Sequence, residues 1–260
     1  MGEGFRTNPI GSAAMPPYTN GPYKFSEDIT FNGDLRKSPG RVYFEEFFKR
    51  LPVLNANIAI ATNLDFEVLG THATAAQVTN SATMAGIVLT SAGADNDQVF
   101  VLPQLNAGQS GWSTKKWGTE NQVIWETALT TGDDIATGVL LFAGLKLTNN
   151  PVIATDANQA FFRFSTDDSD ENWMIESSIA NDNIATDSGV AVVKNTTYKF
   201  RIKIDSSRKA HFYINEKEIY VSAALTDDID LIPYVGIQAL SATAEFVTLH
   251  YEKISRILFE

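Results

Sequence analysis

The feature that most constrains this chain lies near its C-terminus, in residues 195–220, NTTYKFRIKIDSSRKAHFYINEKEIY. Tyr198, Phe200, Ile202 and Ile204 are apolar, while Lys199, Arg201 and Lys203 between them are charged. Side chains of a strand point alternately to opposite faces, so this pattern buries one face and wets the other. DSSRK is a polar turn, and the next run resumes the alternation with Ala210, Phe212 and Ile214 on one side, His211 and Tyr213 on the other. The stretch reads as an antiparallel hairpin with one dry face, and a dry face needs a second sheet to cover it.

From about residue 58 onward the same kind of signal recurs. Short apolar or alternating runs such as AGIVLTSAG, NQVIWETALT, TGVLLFAGLKL, AFFRFSTD, ENWMIESSI and LIPYVGIQAL are joined by AGADND, TTGDD, NNP, TDDSD, ANDN and LTDD. About a dozen strands with turns at this spacing indicate an all-β sandwich or barrel. No self-similarity at a period of 20–50 residues points to a propeller or solenoid. With 260 residues the chain buries a sizeable core without covalent staples, and it has no cysteine, hence no disulfide, thiol nucleophile or thiolate metal site.

The first 40 residues differ. Pro9, Pro16, Pro17, Pro22 and Pro39 are interspersed with glycines, which argues against a stable sheet or helix there. Phe5, Ile10, Tyr18, Tyr23 and Phe25 nevertheless supply apolar surface. The expected division is an extended arm over 1–40 that docks these side chains, followed by one β domain over 41–260. RVYFEEFFKRL at 41–51 reads as a strand, with Glu45 and Glu46 on a solvated edge.

The formal net charge of −11 repels phosphate backbones and anionic lipid, so neither nucleic acid nor a membrane is an expected partner. No apolar run approaches the roughly 20 residues of a membrane-spanning helix. The N-terminus has neither a basic nor an apolar signal region, so use without secretion is expected.

Trp173, then Asn195, Thr196 and Tyr198 opening a strand, then Phe212, Tyr213, Ile214 and Asn215 ending a hairpin, then Leu231 and Pro233 at a corner, form an ordered set. In this order they resemble the concanavalin A-like (laminin-G-like) jelly rolls. YFEEFFKRLPVLN and GIVLTSAGADNDQVFVLP look more specifically like the concanavalin-like structural proteins of tailed bacteriophages, of capsid-decoration or head-fibre type. The resemblance spans roughly residues 41–260 and implies a jelly-roll β-sandwich. One departure is Glu216, which stands where such hairpins place glycine, so a type I′ Asn-Gly turn is not expected and a four-residue NEKE loop closes the hairpin instead.

Many enzymes on this fold use two carboxylates on one strand in a pattern resembling Glu-x-Asp-x-x-Glu. The chain does not contain it, and Glu171 and Glu176, five apart, fall on opposite faces of a regular strand. His72, His211 and His250 are scattered, with no nucleophile elbow, phosphate loop or HExxH sequence. No catalysis is therefore expected. Asp168, Asp170 and Asn172 alternate as oxygen donors for Ca²⁺ do, although glycine and glutamate are absent where an EF-hand needs them, so calcium is the one cofactor considered and the bland alternative is a solvated acidic turn. GADND at 93–97 reads the same way.

The candidate glycan or subunit contact is QSGWSTKKWGTENQ, where Trp112 and Trp117 sit among Ser110, Ser113, Asn121 and Gln122. Packing of these tryptophans across the end of the sandwich is the alternative. Trp125 and Trp173 lie in strand patterns and are expected in the core.

The leading expectation is a structural virion protein, a capsid decoration (cement) protein on the exterior of a phage shell. Its partners would be the major capsid protein and neighbouring copies of itself, gripped by the arm through many weak contacts repeated over a lattice. The alternative is a receptor- or glycan-binding module that recognises a surface glycan with the Trp112/Trp117 loop. A polysaccharide hydrolase or lyase comes third and would need a carboxylate pair not visible in the sequence.

Overall fold

The computed structural model describes residues 41–49, 51–52, 54–55, 66–103, 117–147 and 156–257. The chain divides into two units, 1–41 and 42–260. Its strands form two sheets. Sheet I has the order β15-β14-β13-β8-β17-β5-β4, with β1 also pairing with β17. Its members are β1 (Arg41–Glu46), β4 (Val78–Asn80), β5 (Ile87–Thr90), β8 (Ile124–Thr131), β13 (Thr197–Ile204), β14 (Lys209–Ile214), β15 (Lys217–Ala224) and β17 (Phe246–Ile257). Sheet II has the order β12-β11-β10-β9-β16-β6-β3-β2, with β7 also pairing with β16. It comprises β2 (Leu54–Asn55), β3 (Phe66–Leu69), β6 (Gln98–Pro103), β7 (Trp117–Gly118), β9 (Val139–Lys146), β10 (Asn158–Ser165), β11 (Asn172–Ile179), β12 (Asp182–Ala191) and β16 (Asp230–Ala239). The all-β expectation holds, and the architecture is a concanavalin-like jelly-roll sandwich.

The β13–β14 hairpin forms as its alternation requires. Tyr198, Phe200, Ile202 and Ile204 are buried, while Thr197, Lys199 and Lys203 are exposed. Phe212 of β14 stands opposite Ile202, so both strands turn the same face inward. Across the interior, Phe162 of β10 packs on Phe200 at 4.6 Å and edge-on to Phe212 at 5.4 Å. Trp173 meets Phe200 at 4.8 Å and Tyr198 at 5.3 Å, both edge-to-face. Pairs of this geometry contribute about 0.5–1.5 kcal/mol each beyond the area they bury. Trp125 and Trp173 are fully buried, as expected of core residues. Trp125 donates its ring N–H to Glu252 Oε1 at 3.1 Å, which places a carboxyl inside the core.

The NEKE turn corrects the sequence reading. Ile214 pairs with Lys217, so the loop has only two residues, Asn215 and Glu216, and both have positive φ, 50° and 69°. A two-residue loop with both central residues left-handed matches the twist of the flanking strands, and the hairpin adopts it without glycine. Asn215 helps, since its Oδ1 accepts the Lys199 N–H at 3.0 Å. Among the described residues no helix is long and apolar enough to cross a membrane.

Candidate functional site

Register decides what each sheet shows to the outside. In β9, Val139, Leu141, Ala143 and Leu145 belong to the central core, so Leu140, Phe142, Gly144 and Lys146 point away from it. Gly144 stands opposite Phe161 of β10 and Tyr234 of β16, and Phe142 stands opposite Arg163 and Gly236. Gly236 in turn faces Phe100 of β6. The outer face of sheet II thus carries its own aromatic group. Phe100 lies 4.7 Å from Phe142 and 4.9 Å from Tyr234, and with Leu102, Phe161 and Ile232 these form a second apolar cluster. A Cβ at residue 236 would collide with the Phe100 and Phe142 rings, so glycine is what lets the rings lie down on the sheet. All six cluster side chains are at most 7% exposed.

Polar groups ring this floor. Gln98 donates to Gln238 at 2.6 Å, and Gln238 donates to Asn96 at 3.0 Å. Lys146 Nζ lies 3.6 Å from Asp156 and 4.9 Å from the centre of the Tyr234 ring, with both charged residues buried. Burial lowers the Lys146 pKa and Asp156 opposes that shift; burial also raises the Tyr234 phenol, with the Asp156 charge adding to it. Glu67 of β3 stands opposite Leu102, and burial pushes its carboxyl up to about 7.

The accessible rim of the face is at β10 and β11, where Arg163, Met174 and Glu176 are half-buried. Arg163 Nε donates to Glu176 Oε1 at 2.8 Å, Nη1 binds Asp168, and Nη2 lies 3.6 Å from Asp170. Asp170 also accepts the Ser165 N–H at 2.9 Å, which closes the 165–170 turn. The carboxyls on this guanidinium are shifted in opposite senses. Burial raises Glu176 against the pull of Arg163. Burial would also raise Asp168, but Ser165 and the Arg163 charge together hold it below its ordinary value. Burial raises Asp170 too, helped by the charges of Asp168 and Asp187.

The outer face of sheet I is built differently. Glu218, Tyr213, Arg201, Glu126 and Lys253 stand in one row across β15, β14, β13, β8 and β17. Arg201 lies 3.6 Å from Glu126 and 3.2 Å from Glu216, and its guanidinium sits 4.2 Å above the Tyr213 ring. Tyr213 donates to Glu218 at 2.6 Å, and His211 bridges Glu218 at 3.1 Å and Asp205 at 3.2 Å. Burial and the Glu218 carboxylate push the Tyr213 phenol up to about 12, which removes it as a base near neutral pH. Each charged group named in this network meets an oppositely charged or hydrogen-bonding partner within it.

The residues singled out in the sequence are placed as follows. Phe5, Ile10, Tyr18, Tyr23, Phe25 and Trp112 lie outside the described residues. Trp117 offers no platform: it is 3% exposed, packed in the core where β7 pairs with β16. Asn121 Oδ1 accepts from Arg256 at 2.7 Å. Asp168 and Asp170 face the Arg163 guanidinium, and no group of three or more His, Asp or Glu suited to a metal ion occurs among the described residues. In GADND, Asp97 accepts the Ala94 N–H at 2.7 Å and binds His72 at 2.5 Å, so it pins its own loop. Glu171 is exposed and lies just before β11, whereas Glu176 lies within it. The sequence reading missed the convergence of Glu176 with Asp168 and Asp170. The signal was Arg163, an arginine in an otherwise apolar strand, FFRFS.

No protein-family model and no curated protein sequence matches this chain. Solved structures do. One is a protein of unknown function from Shewanella oneidensis MR-1, at TM-score 0.57 and 12% identity, covering 84% of this chain and 87% of that one. Another is alginate lyase A1-II', a member of polysaccharide lyase family 7, at TM-score 0.52 and 10% identity, covering 70% and 84%. A third is a Bacillus licheniformis β-glucanase, at TM-score 0.50 and 9% identity, covering 82% and 97%. Likeness at this identity fixes the fold alone. The enzymes among these neighbours overturn the expectation of a capsid decoration protein without catalysis, which rested on the phage-type resemblance and on the missing Glu-x-Asp-x-x-Glu pattern. That pattern tests one strand only, whereas the carboxylates here come together from a turn and a neighbouring strand.

Proposed function

We propose that this chain is a carbohydrate-active jelly roll that takes a polysaccharide at the Arg163–Glu176 rim on the outer face of sheet II. The observation that carries this reading is the meeting of Asp168, Asp170 and Glu176 on one guanidinium at the accessible edge of the sheet face. Saccharide sites rely on a few fixed polar groups that exchange hydrogen bonds with hydroxyls. Carboxylates held by an arginine are fixed acceptors that lose little freedom on binding. The named enzymes on this architecture, an alginate lyase and a β-glucanase, support a carbohydrate ligand.

A second reading, hydrolysis at the same rim, is favoured by the opposite shifts of Glu176 and Asp168. Environments that push two carboxyls apart assign the acid and the base. Glu176 would protonate the glycosidic oxygen, and the anionic Asp168 would attack the anomeric carbon or activate a water.

Affinity electrophoresis through gels containing soluble polysaccharides tests the first reading. Retardation of the wild type is expected, and Glu176→Ala is expected to abolish it while its melting transition remains cooperative. A wild type that migrates freely through neutral and acidic polysaccharides alike would contradict it. Release of reducing ends, lost in both Glu176→Ala and Asp168→Asn, tests the second.

A further inference from the structure

We infer that the glycan taken at this face is a neutral polysaccharide and not a polyuronate, because every described cation on the face is already neutralised by the chain's own carboxylates. This rests on the polysaccharide reading above and narrows its substrate class.

A site for a uronate or sulfate polymer needs cations that are free to meet the ligand's charges, preferably a planar guanidinium with an open edge. Among the described residues the outer face of sheet II has two cations, Lys146 and Arg163. Lys146 is buried against Asp156. Arg163 has Nε on Glu176, Nη1 on Asp168 and Nη2 towards Asp170, so each of its three nitrogens already faces a carboxylate. Asp187 of β12, opposite Met174, adds a fourth carboxylate at the rim and is close enough to raise Asp170. Asp187 is itself held anionic by the Gly189 N–H and by Asn172.

The rim therefore presents four carboxyls around one arginine. It sets a single cation against these four carboxyls. A polyanion would have to displace these carboxylates from Arg163 and then lie among them, which costs like-charge repulsion as well as the broken ion pairs. Neutral hydroxyls have the opposite requirement. They donate to carboxylates without altering the ion pairs. The alginate lyase and the β-glucanase share this fold, so architecture cannot choose between the two ligand classes, whereas the charge of the face can.

The test is binding of the full chain to a soluble β-glucan and to alginate of matched length, by isothermal titration calorimetry with EDTA present so that no divalent ion bridges carboxylates. The expected result is glucan affinity at least about tenfold tighter than alginate affinity. Because no ligand charge is involved, glucan affinity should change by less than about twofold between low salt and roughly 0.3 M NaCl. Alginate binding that equals or exceeds glucan binding and weakens with salt would overturn the inference while leaving the polysaccharide reading in place. Failure of both polymers to bind would remove the polysaccharide reading, and this inference with it.

Discussion

On the outer face of sheet I, Arg201 and Lys253 share Glu126 in contact with water; on the outer face of sheet II, Lys146 meets Asp156 with both side chains at most 3% exposed. The two faces thus use the same residue types at very different cost. An exposed pair gains little because water screens it and its long side chains lose freedom, so it contributes about 0–1 kcal/mol. A buried pair has already given up hydration, and removing one partner leaves a charge that nothing solvates. The wet ladder is thereby marked as dispensable surface, and the dry face as a place where the chain has invested in fixed polar groups.

The sharpest way to break this contrast is to delete one anion from each face. Asp156→Leu is expected to cost about 3–5 kcal/mol in urea unfolding, against about 0–1 kcal/mol for Glu126→Ala. Equal effects would mean that burial does not separate the faces as described.

The next effect comes from the core between them. Burial pushes Glu252 up to about 8, against an ordinary value near 4.5, with the Trp125 N–H opposing the shift. A carboxyl whose folded pKa is raised contributes stability that is full below the unfolded value and is lost as pH rises towards 8. Each pH unit in that window costs up to about 1.4 kcal/mol. Glu252→Gln, neutral at every pH, should flatten the decline between pH 5 and 8 measured by denaturant unfolding. Parallel pH profiles for the two proteins would count against a neutral acid in the core.

Smaller effects refine the comparison. Gly236→Ala would force the Phe100 and Phe142 rings off the sheet and is expected to cost about 1–3 kcal/mol by thermal melting. On sheet I, Glu216→Gly removes a left-handed non-glycine residue and should stabilise by about 1 kcal/mol, since the exposed Arg201 contact it loses is weak.

The sequence disclosed most of the scaffold and little of the site, for physical reasons. Alternation in TYKFRIKI shows which side chains face in, because one face of that strand is wet. In VLLFAGLK and NQAFFRFS both faces are buried, so period two disappears and only a nearly continuous apolar run remains. Residue spacing along ENWMIE compares Glu171 with Glu176 alone and is blind to Arg163 on the neighbouring strand, two positions along the face from the partner of Glu176. Trp117 looked like a loop platform because SGWSTKKWGTEN is polar, yet two residues of strand pairing to β16 turn it into the core. The Asn215–Glu216 turn shows the same limit: strand twist imposes positive φ on a residue whose chemistry does not favour it.

The glycan proposed above should meet the rim of sheet II and not the ladder of sheet I. Hydrogen–deuterium exchange of the full chain with and without a saturating β-glucan tests it most directly. New protection is expected in the 165–171 turn and in β11, with exchange in β13, β14 and β15 unchanged. Protection confined to β13–β15, with the 165–171 turn unaffected, would contradict it.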